Sequence, residues 1–184
     1  MAVGMIASHK APILLLDAFR RAALECPRLR LDYIGGGPLL PAARDFIDAF
    51  DLRERVTLHG PQPNRIVLES LTRADIFLQH SRTDPDTGFG EGMPVSILEA
   101  MAHALPVVSS RIGGTPEQIV EGSTGYLVEP GDTAGMARNI VRLANDPGLR
   151  HQLGSAGWRR ARDLYSWDKE RAELLRVLDL DKEA

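Results

Sequence analysis

The chain has 184 residues with 22 basic and 25 acidic side chains, and its net charge of −3 argues against a nucleic-acid partner, which would need a clustered basic face. The length favours a single domain over residues 1–184. Cys26 is the only cysteine, which excludes an internal disulfide, and no signal peptide or long apolar run is visible. We therefore expect a cytoplasmic protein with no transmembrane segment.

Short apolar runs alternate with helical patterns through the first half of the chain. A strand is predicted at residues 3–7, and a helix follows because Pro12 suits a first helical turn and apolar residues then recur on one face up to about Cys26. The alternation continues with strands at 29–34, 55–59 and 74–78 and with helices at 41–50 and 65–71. Each strand is an apolar run with little internal alternation, which is typical of a parallel sheet covered on both faces.

The second half begins with a long polar loop, residues 79–90, which leads into the segment from Glu91 to Val108. In this segment Pro94 is predicted at the first helical position, Pro106 ends the helix, and Val107 begins a short buried strand. A short helix at 115–120 and a strand at 125–128 follow. Three final helices are predicted to begin at the capping residues Asp132, Asp146 and Ser166 and to end near residues 144, 164 and 178.

This order of elements predicts an α/β fold: a doubly wound, mainly parallel six-stranded Rossmann-like sheet with additional C-terminal helices. In such sheets, ligands bind beyond the carboxyl ends of the strands. The loops at that edge contain Lys10, the glycines at 35–37, Gly60, Glu91 and Gly113. Because the first strand begins almost at once, we expect the chain to be part of a longer protein.

The N-terminus of the predicted helix after Glu91 is a candidate anion site. Gly92 and Met93 leave backbone N–H groups free, and a helix N-terminus carries roughly half a positive charge. Glu91 precedes this tip, and Glu99 lies about 7 Å beyond it along the helix. A nucleotide-sugar fits this layout, with its diphosphate on the tip and sugar hydroxyl groups near each carboxylate. The alternative is a surface helix with two ordinary glutamates.

Other patterns carry less weight. The glycines at 35–37 follow a strand, but Leu40 replaces the third glycine of a dinucleotide fingerprint and no acidic residue ends the next strand, so an NAD site is not expected. Asp84 and Asp86 are interpreted as turn formers rather than metal ligands, and no metal site is predicted. His59 and His80 each end a strand and are interpreted as structural residues.

Several motifs, in order, resemble the C-terminal, donor-binding half of group 1 glycosyltransferases of the GT-B architecture. The central one is Glu91-x7-Glu99, in which seven residues separate two glutamates. The resemblance covers nearly the whole chain. Its motifs lie at residues 30–38, 55–60, 91–102, 106–109, 113–117, 122–128 and 130–132.

The resemblance implies retaining transfer of a hexosyl group from a nucleotide-diphosphate-sugar, with no required metal or other cofactor. It implies that Glu91 holds hydroxyl groups of the donor sugar and that Lys10 faces the diphosphate, so both are predicted as catalytic residues. The implied donor-binding groups are the ribose-binding carboxylate of Glu99, the backbone N–H groups of Gly92, Met93 and Val95, and a base site between Gly36 and the loop of Gly60 and Gln62.

Two departures from the family pattern leave two functions open. Met5 stands where the family usually has an arginine, so a second phosphate cation is missing. The N-terminal acceptor-binding domain of the GT-B architecture is not in this chain. The first hypothesis is the donor-binding half of a glycosyltransferase, inactive as an isolated domain. The second is a catalytically degenerate, stand-alone nucleotide-sugar-binding or interaction module. A UDP-, GDP- or ADP-sugar is equally compatible with the sequence.

Overall fold

The computed structural model describes residues 1–178. The strands are β1 (Ala2–Val3), β2 (Leu31–Ile34), β3 (Val56–Gly60), β4 (Phe77–Gln79), β5 (Val107–Ser110) and β6 (Gly125–Val128). The helices are α1 (Pro12–Glu25), α2 (Leu40–Ala49), α3 (Asn64–Leu71), α4 (Val95–Ala102), α5 (Thr115–Gln118), α6 (Thr133–Asn145), α7 (Pro147–Leu164) and α8 (Trp167–Val177), and a 3₁₀ turn at Ser8–Lys10 precedes α1. None of the helices within residues 1–178 combines the length and apolar character needed to span a bilayer.

The strands form two parallel three-stranded ladders, β1-β2-β3 and β4-β5-β6. The ladders meet at β1 and β4, where the Met1 amino group donates to the Ile76 carbonyl at 2.7 Å and the Leu78 N–H donates to the Met1 carbonyl at 2.8 Å. The α/β class with parallel strands is confirmed, but the expected single six-stranded sheet is wrong. The reason is that β1 has only two residues, both paired with β2, so Met1 carries the hydrogen bonds to β4.

Helices cover both faces of the strands. Successive strand residues point to opposite sides, so neighbouring residues of one strand pack against different helices. Leu78 and Val108 belong to an apolar cluster that also contains residues of α1, α2 and α6. Their neighbours Phe77 and Val107 belong to a second cluster with residues of α3 and α4. This doubly wound arrangement leaves the loops that follow the strands free to form a cleft at one edge.

Several predicted boundaries differ from the structure; for example, β2 begins at Leu31 and not at residue 29, and β4 begins at Phe77 and not at residue 74. Two of the differences have a clear physical reason. Pro94 is the N-cap of α4, with φ −66° and ψ 118°, and the helix begins at Val95. Proline fixes only φ, and this φ fits both positions, so the sequence pattern alone does not distinguish them. The first strand ends at Val3 instead of Ala7 because Gly4, at φ 151°, leaves the strand conformation.

The predicted helix caps are confirmed for α6 and α7. The Asp132 and Asp146 carboxylates accept hydrogen bonds from the backbone N–H groups of Gly135 at 2.7 Å and Leu149 at 2.8 Å. Ser166 precedes α8 as predicted, but its side chain makes no capping hydrogen bond, so this part of the prediction is wrong. Its hydroxyl leaves the first turn of α8 without the bond that a capping serine usually supplies.

Candidate functional site

The tip of α4 presents backbone donors to solvent. Within residues 1–178, the N–H groups of Gly92, Met93, Val95 and Ser96 donate to no protein acceptor, and no side chain caps the helix. Met93 and Val95 are 42% and 66% exposed, so protein atoms do not block the tip. Open N–H groups at a helix N-terminus attract an anion. The tip therefore has the donors that an anion site needs.

A glycine pair after β5 holds the loop that leads to this tip. The Gly114 N–H donates to the Gly92 carbonyl at 2.7 Å. Gly113 has a φ of +54°, and a Cβ there would collide with the carbonyl oxygen of Glu91. Only glycine allows both the left-handed conformation and this close approach. The backbone at Glu91 and Gly92 is consequently packed against the loop that follows β5 and is not surrounded by solvent.

Glu91 and Lys10 form an ion pair beside the tip. Lys10 ends the 3₁₀ turn after β1, and Glu91 precedes α4, so the contact joins the two ladders. The Glu91 and Lys10 side chains are only 12% and 15% exposed. Oε2 of Glu91 also accepts hydrogen bonds from the Ser81 hydroxyl and the Gln79 amide, each at 3.3 Å. The two predicted catalytic side chains thus lie together and neutralise each other.

Glu99 lies one turn into α4 and faces α3. Its Oε1 accepts a hydrogen bond from Asn64 Nδ2 at 3.0 Å. Asn64 is the first residue of α3 and follows the loop that contains Gly60 and Gln62. Glu91 and Glu99 therefore contact different neighbours on the two flanks of the tip, which is the layout that a ligand with two hydroxylated ends requires.

The two loops predicted to enclose a base contact each other. The Gly35 N–H donates to the Gly60 carbonyl at 3.0 Å, and a Cβ on Gly36 would lie 2.9 Å from Cγ of Pro61. A side chain at Gly36 would therefore push the loops apart. The side-chain amide of Gln62 donates to the carbonyl of His59, in β3, at 2.9 Å. Gly36 and Gly60 thus lie in loops that touch each other directly, instead of on two sides of a space that could hold a base, and the exposed Gln62 side chain is bonded to β3.

His59, His80 and Asp84 all have protein partners in the structure. His80 is fully buried and its Nε2 accepts the Gly131 N–H at 2.9 Å; burial lowers the pKa of His80 to about 4, so the ring is neutral near pH 7. His59 contacts Asp32 at 2.6 Å. Asp84 accepts the Asp86 N–H at 3.0 Å, as a turn former does. A hydrogen bond from the Ser8 hydroxyl is the largest cause that lowers the pKa of Asp84 to about 2.

Several polar residues of the site were missed by the sequence analysis. Gln79 and Ser81 donate to Glu91, and Asn64 donates to Glu99. The Ser96 hydroxyl in turn donates to Gln79. Gln79 offered a signal, because it is a polar residue at the end of an otherwise apolar strand. Asn64 offered none, since it lies 35 residues from its partner.

A cavity of about 530 Å³ lies at the amino-terminal edge of the strands, away from the α4 tip. Charged residues line it, among them Arg28, Asp32 and Arg150. These groups already have protein partners: Asp32 contacts His59, and both arginines donate to backbone carbonyl groups at the end of α6. We therefore place the candidate site at the α4 tip, where the donors are open.

The fold and the site together define a doubly wound α/β protein with an open helix tip at the carboxyl edge of its strands. Residues 1–160 match the family of glycosyl transferases group 1, and the chain belongs to this family. The resemblance inferred from the sequence motifs is thereby confirmed.

Individual proteins of this kind are similar over nearly the whole chain. A putative colanic acid biosynthesis glycosyltransferase, WcaL of Salmonella typhimurium, is 30% identical over 178 residues, covering 97% of this chain and 43% of the relative. A GDP-mannose-dependent alpha-(1-6)-phosphatidylinositol monomannoside mannosyltransferase of Mycolicibacterium smegmatis is 28% identical over 182 residues, covering 99% and 48%. The crystal structure of Anabaena HepE in complex with UDP and glucose matches the fold with a TM-score of 0.83 at 20% identity, covering 97% and 48%. The chain spans less than half the length of each.

Proposed function

We propose that this chain is the donor-binding half of a retaining glycosyltransferase, which binds a nucleotide-diphosphate-sugar and transfers its hexosyl group to an acceptor. The observation that carries the proposal is the open α4 tip with Glu91 and Lys10 on one flank and Glu99 on the other. A diphosphate on the tip would have a carboxylate within reach at each end. Membership of the glycosyl transferases group 1 family supports the same function.

Each part of the donor has a proposed partner. The N–H groups of Gly92, Met93 and Val95 bind the diphosphate, and Lys10 adds its charge. Glu91 accepts hydrogen bonds from the donor sugar and Glu99 from the ribose, since an ionised carboxylate is a pure acceptor. The base is proposed to lie against the contacting loops of Gly36, Gly60 and Gln62, on the side where Asn64 bonds to Glu99.

The proposed chemistry follows from the charge that develops when the glycosidic bond breaks. Negative charge builds on the leaving diphosphate, and donors already aimed at it stabilise the transition state; removing one such donor costs about 10²–10³ in rate. A phosphate oxygen of the donor takes the proton of the acceptor, so no protein base is assigned. The helix tip and Lys10 supply the positive charge, and we assign no metal or other cofactor to this step.

Calorimetry with nucleotides tests the proposal. UDP, GDP and ADP are titrated first, followed by UDP-glucose and GDP-mannose, because one similar protein is GDP-mannose-dependent and another was crystallised with UDP and glucose. We expect one diphosphate to bind, its sugar conjugate to bind more tightly, and both to bind equally well in EDTA. Absence of binding by all of them would refute the proposal.

A second candidate function is a catalytically degenerate nucleotide-sugar-binding or interaction module. The observation that favours it is Met5, which is 55% exposed and supplies no cation where the family usually has an arginine. In either case we propose that residues 1–184 act as one domain. We also propose that another domain binds the acceptor, because the chain covers less than half of the length of the similar proteins. We expect the isolated chain to transfer little sugar, and efficient acceptor glycosylation by it would contradict this.

A further inference from the structure

We infer that Gln79 is a positioning residue for the donor sugar: its side-chain amide holds the Glu91 carboxylate and ties it to the first turn of α4. The inference rests on the proposed function, because it assigns Glu91 to the sugar. It adds to the sugar site a residue that lies outside the motifs from which the family resemblance was drawn.

The amide of Gln79 is engaged at both ends. Gln79 is the last residue of β4 and is only 4% exposed. Its Nε2 lies 3.3 Å from Oε2 of Glu91, and its Oε1 accepts a hydrogen bond from the Ser96 hydroxyl at 2.9 Å. Burying an amide is unfavourable unless it is hydrogen-bonded, and here each bond goes to a residue of the candidate site. The side chain thus links the Glu91 loop to the α4 tip.

The proposed roles of Lys10 and Glu91 create a need for such a link. The two side chains are paired in the structure, yet the proposed function directs Lys10 to the diphosphate and Glu91 to the sugar. As Lys10 turns toward a phosphate, its ion pair with Glu91 weakens, and Lys10 is the only charged partner that Glu91 has among residues 1–178. Because Glu91 is 12% exposed, little water is available to replace it. Other donors must then hold the carboxylate.

Gln79 and Ser81 are those donors, since both lie at the end of β4 and not on the 3₁₀ turn with Lys10. The Ser81 hydroxyl can rotate away, whereas the Gln79 amide is fixed at its other end by Ser96. Ser96 also carries one of the open N–H groups of the tip. Gln79 therefore keeps Glu91 in register with the element that is proposed to bind the diphosphate.

Two substitutions test the inference by their effect on the sugar factor, which we define as the ratio of the dissociation constant of a nucleoside diphosphate to that of its sugar conjugate. The pairs are UDP with UDP-glucose and GDP with GDP-mannose, measured by calorimetry on the full chain. Gln79→Leu removes the amide hydrogen bonds to Glu91, Ser96 and Ser81. It is expected to lower the sugar factor about tenfold, with a change of about threefold or less for the diphosphate alone. Retention of the wild-type sugar factor in this variant would overturn the inference.

Gln79→Glu keeps the shape of the side chain and makes the effect depend on pH. Two adjacent carboxylates cannot both ionise easily, so acidification protonates one of them and restores a donor between residues 79 and 91. We expect the sugar factor of Gln79→Glu to be low at about pH 8 and to recover at about pH 5, with a much smaller change in the wild type. A merely structural role for Gln79 would not produce this recovery. A sugar factor that stays low at both pH values overturns the inference.

Gln118→Leu is the matched control. Gln118 is also a fully buried glutamine, but its amide donates to the Pro94 carbonyl at 3.0 Å and does not contact Glu91. We expect this variant to lose stability and to keep its sugar factor; an equal loss in both leucine variants would overturn the inference. If the wild type binds no nucleoside diphosphate, the proposed function fails and the inference with it. If it binds both ligands and only the Gln79 result fails, the proposed function stands.

Discussion

Replacing Glu91 with glutamine is expected to strengthen the binding of a nucleoside diphosphate and to weaken the contribution of the sugar. In the structure Glu91 is paired with Lys10, although the proposed function sends the two side chains to different parts of the donor. Glutamine keeps the shape and removes the charge. Lys10 is then released for the phosphate, while the sugar loses a charged acceptor. The two effects have opposite signs.

The burial of the pair sets the magnitude. The Glu91 and Lys10 side chains are 12% and 15% exposed, so solvent screens their interaction only partly. A charge-assisted hydrogen bond contributes about 1.5–3 kcal/mol and a neutral one about 0.5–1.5 kcal/mol. Releasing Lys10 should therefore strengthen diphosphate binding by about 1 kcal/mol, or about fivefold. Each sugar hydroxyl that loses the carboxylate should cost about the same.

Calorimetry at one fixed ionic strength measures both quantities. The control is Glu54→Gln, which makes the same change in net charge at an exposed glutamate before β3. This control should leave both affinities within about twofold of the wild type, because surface charges are screened by salt. The reasoning is refuted if Glu91→Gln weakens the diphosphate and its sugar conjugate together, since Lys10 would then not be restrained by Glu91.

Four further predictions concern other groups of the site and its support. Lys10→Met should weaken diphosphate binding by about 10- to 100-fold and make it less dependent on salt, as calorimetry at low and high salt will show. Glu99→Gln should weaken a ribonucleoside diphosphate about tenfold but not its 2′,3′-dideoxy analogue. Because burial lowers the pKa of His80 to about 4 from 6.5, the unfolded chain binds more protons between those values, so the protein loses stability as the pH falls through that window. Between about pH 7 and about pH 5, the free energy of unfolding of the wild type should fall by about 2 kcal/mol more than that of His80→Gln, as urea unfolding at the two pH values will measure. Gly113→Ala should lower the free energy of unfolding by about 1–3 kcal/mol, because it combines a positive φ with a collision at the Glu91 carbonyl. Unchanged stability would show that this loop can move aside.

Much of the fold could be predicted because periodic apolar patterns and proline positions are local signals. The helix predicted to run from Pro12 to about Cys26 is observed at Pro12–Glu25, and the helix expected to end near residue 164 is observed at Pro147–Leu164. The contact between Lys10 and Glu91 could also be predicted in part from the order of strands and loops. Both were placed in loops after strands of one parallel sheet, and such loops share an edge.

The partners within the site could not be predicted, because a pattern identifies a face and not the atom that will lie against it. Nothing local shows that Asn64 reaches Glu99 or that Gln79 bonds to both Glu91 and Ser96. These contacts are tertiary and depend on the angle at which two helices and a strand meet. The predicted position of Pro94 was wrong for a different reason: its φ fits both the N-cap and the first helical residue.

The candidate site lies where the two ladders of strands meet. Lys10 and Asn64 follow β1 and β3, whereas Glu91 and Glu99 belong to the β4 ladder. Both the ion pair and the Asn64–Glu99 hydrogen bond therefore cross the line where β1 and β4 meet, and there Met1 carries the strand-to-strand bonds. In doubly wound sheets this line is where the strand order reverses and the loops on either side diverge, which opens a crevice. A donor bound in the crevice would contact both ladders, and its binding energy would add to the few bonds that join them.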